Sequence, residues 1–221
     1  MLAGNAADVL VVSARKVGAA PGEAPELWLV DPRAPGVTLV PAARIDGQPC
    51  AHATLDGVVV SDDDRVDGSP GLLDRLIDRA AIALSAEMLG SMSAAFDMTL
   101  AYLRDRQQFG VLIGTFQALR HRAARMYVEI ELVRSAVMAA ARTADVPSGP
   151  PALLGQVASL AKARASDAAI LVANECLQMH GGIGMTEEHD IGLFFKRARV
   201  AAHTFGDAGR HRDRWARLAG Y

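Results

Sequence analysis

The residues best equipped for chemistry crowd two short stretches. In "YLRDRQQFGVLIGTFQALRHR" (102–122), Arg104, Arg106, Gln107 and Gln108 fall at the end of a long helical pattern. Phe109-Gly110 interrupts that pattern, and Gln117 stands early in the next helix. Guanidinium and amide groups gathered at such a corner can grip a phosphate and the edge of a purine. They also suit a solvated helix C-terminus whose arginines answer the helix dipole, and physics alone favours that plainer reading. In "ECLQMHGGIGMTEEHD" (175–190), Gly181, Gly182 and Gly184 end an apolar helix that is followed at once by another. One glycine suffices for a left-handed helix cap. A second lets the backbone approach a ligand without a Cβ in the way, and Gln178, one turn earlier, offers an amide at the same place. A tight interhelical corner explains the glycines equally well. Gly-Gly-x-Gly after a helix is weak evidence for a dinucleotide fold, which needs a strand before its glycines.

Other chemistries find no support. His121, His180, His189, His203 and His211 form no pair at ligand spacing backed by carboxylates, so no metal site is expected. No Gly-x-Ser-x-Gly occurs, and no serine has a nearby histidine with an aspartate behind it. The "RHRDRWARL" stretch near the end is basic but carries Asp213, in a chain of net charge −2. That balance argues for a phosphate or subunit contact and against nucleic acid or an anionic membrane.

Elements of two kinds must position these residues. Short β-type runs come first: "DVLVVSAR" (8–15), "ELWLVD" (26–31), "VTLVPA" (37–42) and "ATLDGVVV" (53–60). After about residue 62 the pattern turns helical. Ser69-Pro70 makes a capped start, and apolar residues then recur at Leu73, Leu76, Ile77, Ala80, Leu84, Met88, Met92 and Phe96 up to about Arg106. A second helix is expected over about 115–142, with Leu119, Met126, Ile130, Val133 and Val137 on one stripe. A third is expected over 152–179 and a fourth near 190–202, with a short arginine-rich tail. Long helices joined by short loops imply an antiparallel bundle. The expected fold is α+β, mainly α: a partial antiparallel β domain over 1–62, then an antiparallel four-helix bundle over 63–221. Four strands with no helix among them bury their faces poorly, so the β part reads as truncated or as covered by something else. About half the residues are hydrophobic, no apolar run reaches the ~18 residues of a membrane span, and Cys50 and Cys176 stand far apart. A cytoplasmic, reducing environment without disulfides or membrane contact is expected.

"YLRDRQQFGVLIGTFQALRHRAARMYVE" followed by "ANECLQMHGGIGMTEEHDIGLFFKRAR" closely resembles the C-terminal helical domain of acyl-CoA dehydrogenases in order and spacing. The strand-rich start resembles the later part of that family's middle β domain. The resemblance implies FAD as cofactor, an acyl-CoA thioester as substrate, and removal of two hydrogens from its α and β carbons. It also implies that Arg106, Gln108, Phe109 and Gln117 hold the pyrophosphate and adenosine half of FAD bound mainly by a neighbouring subunit. Gln178, Gly181 and Gly182 would do the same.

Three departures from the family pattern stand out. The family's base, a glutamate commonly placed before Gly-Thr in the loop after the fourth helix, is here Phe205, which has no proton acceptor. The Asp207 that follows falls where a small hydroxyl usually meets the cofactor, and an uncompensated carboxylate there would repel a pyrophosphate. The alternative base position, on the first helix, matches Ala80; Asp78 and Glu87 are the nearest carboxylates and neither is in register. The family's N-terminal helical domain, and the β segments that cradle the flavin ring, are absent from the sequence. No catalytic residue is therefore assigned. The sequence style is also similar to members that work in mixed α2β2 assemblies on bulky acyl-CoAs such as sterol side-chain thioesters, one subunit type carrying the base. The expectation is a dehydrogenase-like subunit that completes a shared FAD site within a homo-oligomer, or a hetero-oligomer with a base-carrying subunit. The alternatives are a non-catalytic structural subunit that does not bind flavin, or a fragment of a complete enzyme.

Overall fold

A computed structural model of the chain describes residues 2–20, 22–66, 71–146 and 150–221. The expected Ser69-Pro70 helix start lies outside the described residues. The chain divides into two compact units, Met1–Asp74 and Arg75–Tyr221.

In the first unit, β1 (Leu10–Ala14), β2 (Glu26–Val30) and the short β5 (Arg65–Val66) form an antiparallel sheet in the order β1-β2-β5. β3 (Val37–Pro41) and β4 (Ala51–Leu55) form a separate antiparallel pair, Val37 facing Leu55 and Pro41 facing Ala51. Strand alternation sets the small core: Leu10 faces Val30 across the register and both are buried, while their neighbours Val11 and Leu29 are exposed. The expected strands are where their β-type runs lie, except that the last ends at Leu55, where the chain turns and Asp56 N–H donates to the Gly36 carbonyl at 2.9 Å.

The second unit is helical: α1 (Leu72–Asp105), α2 (Gln117–Ala144), α3 (Pro151–His180), α4 (Ile191–His203) and α5 (Ala208–Leu218). The fifth is the expected arginine-rich tail, which folds as a helix because Asp207 caps its start and His211 is buried beneath it. α3 packs against α2, α4 and α5. Its buried residues include Ala158, Ala161, Ala165, Ala168, Ala169 and Ala173, and such small side chains let neighbouring backbones come close. At Gly155 a Cβ would lie 2.9 Å from Leu218 Cδ1, so α5 seats directly on the α3 backbone. The α2 stripe is as the periodicity predicts, with Met126, Ile130, Val133 and Val137 buried.

The α1 stripe differs at its start. Leu84, Met88, Met92 and Phe96 are buried as expected, but Leu76 and Ile77 are exposed, and Asp78, Ala81, Ile82 and Ser85 take the inner face. The reason is an ion pair invisible to hydropathy. Asp78 accepts from both Arg214 guanidinium nitrogens, one at 3.0 Å, and Arg214 also donates to the Ser159 hydroxyl at 3.2 Å. A paired, hydrogen-bonded carboxylate is tolerated in the core where a lone one is not. Asp78→Ala removes the buried carboxylate that Arg214 binds and should lower unfolding stability by about 3 kcal/mol, read from urea titrations. An unchanged midpoint would show that the pair holds nothing together.

Candidate functional site

The up-and-down course of the helices brings the end of α1, the start of α2, the end of α3 and the start of α4 to one end of the second unit. The two chemically rich corners therefore meet, and aromatic rings join them. Tyr102, near the end of α1, stacks on His180 at the end of α3 with ring centroids 4.6 Å apart, and His180 lies 4.4 Å from the His189 ring.

At the α1–α2 corner the chain makes a hairpin that the sequence did not reveal. β6 (Gln107–Gln108) pairs with β7 (Val111–Leu112) across Phe109-Gly110, both with positive φ, +55° and +77°. Such primed turns match the twist of the strands but disfavour a side chain at the first central position. A phenylalanine there carries strain of order 1 kcal/mol. Its ring is 90% exposed, and the nearest ring, Phe116, stands edge-on at 6.1 Å. Packing within the chain does not account for that conformation. The backbone of Arg106 is satisfied, its N–H donating to the Tyr102 carbonyl and its carbonyl accepting from Ile113, both at 2.9 Å. Its side chain is exposed, and its guanidinium has no ion-pair or hydrogen-bond partner among the described residues. Gln108 donates to the Gln107 carbonyl at 2.8 Å, and Gln117 opens α2 with its side chain exposed.

At the α3–α4 corner the three glycines separate into two roles. Gly181 has φ +64° and ψ −140°, a region open essentially to glycine alone, and differs from the left-handed cap that one glycine would have supplied. A Cβ at Gly181 or Gly182 would meet nothing within 4 Å, so the chain itself gives no packing reason for bare backbone there. Gly184 is the interhelical one. It is buried, and a Cβ would come within 3.1 Å of His180 Cβ and of the Leu177 carbonyl oxygen. Gln178 is exposed on the last turn of α3.

The loop after α4 presents Phe205 at φ +60° with its ring 39% exposed. Asp207 corrects the expectation of an uncompensated carboxylate. It accepts from Arg210 N–H at 2.8 Å as the N-cap of α5, and that bond, with the nearby His203 and Lys162, holds its carboxyl below the usual range. Glu87 is engaged by Arg197 at 2.6 and 2.9 Å, and Asp78 by Arg214, so neither carboxylate is available beside half-buried Ala80. Lys162, fully buried on α3, has no distinguishing signal in the sequence, where Arg164 stands two residues later in the same alanine-rich run. No group of three or more metal-ligating side chains occurs among the described residues, nor any helix long and apolar enough to cross a membrane.

Comparison with known proteins places this arrangement in a family. The profile described as "Acyl-CoA dehydrogenase, C-terminal domain" matches residues 71–219. Acyl-CoA dehydrogenase IpdE2 of Mycolicibacterium smegmatis is 44% identical over 131 residues, covering 59% of this chain and 39% of that protein. IpdE2 of Mycobacterium tuberculosis is 43% identical over 127 residues, covering 58% and 37%. The chain thus spans well under half the length of these relatives. Among solved structures, the Tcur3481-Tcur3483 steroid ACAD variant superposes with TM-score 0.84 at 32% identity, covering 96% of this chain and 55% of that one. The ChsE4-ChsE5 complex from Mycobacterium tuberculosis superposes with TM-score 0.88 at 28% identity, covering 99% and 57%.

Two buried histidines give this unit a pH signature. His180 Nδ1 lies 2.8 Å from the Cys176 carbonyl and His211 Nε2 lies 3.1 Å from the Phe205 carbonyl, while His180 Nε2 and His211 Nδ1 have no hydrogen-bond partner among the described residues. Burial pushes both imidazoles below their ordinary value of 6.5, so the folded chain holds them neutral where the unfolded chain takes up protons. Their stabilising contribution is complete above that value and is lost as pH falls through the lowered folded values. Tm should therefore decline from pH 7 to pH 5, and the double variant His180→Gln, His211→Gln should decline less steeply. Equal slopes for the two proteins would contradict the assignment.

Proposed function

The chain belongs to the acyl-CoA dehydrogenase family, and from that premise we propose that it is a flavoprotein subunit contributing the adenine and pyrophosphate side of an FAD site shared with a neighbouring subunit. The observation that carries this reading is the convergence, at one end of the helical unit, of features the chain leaves unused. They are the Arg106 guanidinium, which has no partner among the described residues, the strained and exposed Phe109, and the bare backbone of Gly181 and Gly182. These residues fit an anionic dinucleotide. Arg106 would donate charge-assisted hydrogen bonds to the pyrophosphate. Gln108, Gln117 and Gln178 would offer amides to the nucleoside, and Phe109 an apolar face. The two glycines would let a neighbour's cofactor lie against the main chain without a side chain between.

Bound FAD would supply the hydride acceptor for α,β-dehydrogenation of an acyl-CoA thioester. This chain would not supply the base, because Phe205 and Ala80 stand at the two positions where the family carries it and neither accepts a proton. The base and the flavin-ring cradle would come from a partner subunit or a fuller copy of the chain. The similar ChsE4-ChsE5 structure, a complex of two differently named proteins, supports a mixed assembly by analogy.

Purification with and without a base-carrying subunit of the family tests the proposal. Flavin absorbance is expected only in the mixed assembly. Colourless protein in every combination would favour a structural subunit that binds no flavin, and stoichiometric flavin in the chain alone would refute site sharing. In the mixed assembly, Arg106→Ala should weaken FAD retention by roughly 1–3 kcal/mol, the range for a lost charge-assisted hydrogen bond, measured by equilibrium dialysis; unaltered retention would remove Arg106 from the site. Phe205→Glu should leave the oligomer unchanged in sedimentation, because the position is a partly exposed turn. Dissociation in that variant would mean that Phe205 is an interface residue.

A further inference from the structure

Lys162 lies in the alanine-rich middle of α3 with no exposure. Its ammonium donates to the Ser166 hydroxyl at 2.9 Å, the Ala202 carbonyl at 3.0 Å and the Gly206 carbonyl at 2.9 Å. A lysine has three N–H donors, and all three are used. None goes to a carboxylate, although burying a cation without a bonded counter-charge is unfavourable. Desolvation accordingly pulls Lys162 down to about 8, with Asp207 acting in the opposite sense.

The acceptors explain what the ammonium is there for. A helix ends with four carbonyls that have no intrahelical partner. At the end of α4, Val200 accepts from both the N–H and the hydroxyl of Thr204, at 3.1 and 2.9 Å, and His203 accepts from Gly206 N–H at 3.2 Å. Ala202 accepts from Lys162. In the turn itself Lys162 holds the Gly206 carbonyl, and His211 reaches back to the Phe205 carbonyl. Gly206 sits at φ +108°, and a Cβ would lie 3.1 Å from Arg210 Cδ and 3.2 Å from His211 Nε2, so the turn is enclosed on that side as well. The cation also faces the negative end of the α4 dipole. One side chain of α3 thus ties the end of α4 to the turn that leads into α5.

We propose that Lys162 is a positioning residue whose buried ammonium, bonded to Ala202, Gly206 and Ser166, fixes the 204–207 turn and with it the direction in which Phe205 is presented. The proposal deepens the dehydrogenase reading, on which it rests for the statement that this turn faces the acyl side of the site. There the chain holds an apolar side chain in one orientation, as a wall where base-carrying relatives place a carboxylate.

The clamp is testable in the full chain without flavin or partner, so its failure and that of the shared-site reading are separate results. Lys162→Met nearly preserves volume and removes every donor, so a role in packing alone predicts no change. Loss of the clamp should speed amide exchange at Gly206 and His211 by about tenfold or more, with α2 amides unaffected. With 4-fluorophenylalanine at position 205, the single fluorine resonance of the parent should broaden or split in the variant. Unchanged local exchange and a single sharp line would overturn the proposal. Should Lys162→Met fail to fold, the parent chain still decides. It has three lysines, Lys16, Lys162 and Lys196, and with lysine labelled at the side-chain nitrogen, one ammonium should exchange its protons at least about tenfold more slowly than the others. Three equally fast ammonium groups would overturn the proposal.

Discussion

The helical unit depends on α3 being buried on most of its circumference. A helix in that position can carry polar groups only if its neighbours satisfy them, and each such group then fixes part of a neighbour. Ser159 and the Asp78–Arg214 pair fix α5 to α1 and α3. Lys162 and Ser166 fix the end of α4. His180 fixes the α3–α4 corner against Tyr102. The small residues between these points let backbones approach closely enough for the bonds to form. Packing and polar satisfaction are therefore one constraint in this unit.

The exposed features of the α1–α2 and α3–α4 corners contrast with these bonded points of the interior. The Arg106 guanidinium has no ion-pair or hydrogen-bond partner among the described residues, Phe109 holds an unfavourable backbone while exposed to solvent, and two glycines leave their surroundings open. Strain and exposure concentrated at one end of a bundle are what a surface built for something outside the chain would show. The turn at Phe205 is the opposite case. It also holds a non-glycine residue at positive φ, yet bonds from Lys162 and His211 enclose it from within. One strained residue stands exposed at the tip of a hairpin, and the other is braced on its inner side.

Much of this was legible in the order of residues. Helical runs marked α1 to α4 nearly to their ends, with an apolar stripe at period three-to-four on α1 and α2, and β-type runs between turn residues marked β1 to β4. The motif stretches lie at the α1–α2 and α3–α4 corners, which meet at one end of the helical unit. The first turns of α1 were misassigned because Leu76 and Ile77 carry the hydropathy, whereas the inner face there is set by Asp78, whose burial depends on Arg214 more than 130 residues later. The arginine-rich tail gave no apolar period, so α5 was missed; it is held by a cap, a buried histidine and ion pairs.

What the sequence by itself determined is the set of groups at each corner and the absence of a proton acceptor at positions 80 and 205, since residue identity alone decides whether a side chain can take a proton. Only the tertiary structure decided which glycine serves packing and which leaves backbone bare, that Phe109 and Phe205 both occupy left-handed backbone, and that Asp207 and Lys162 belong to one bonded turn. Those properties depend on distances between residues far apart in the chain, and a one-dimensional pattern does not contain such distances.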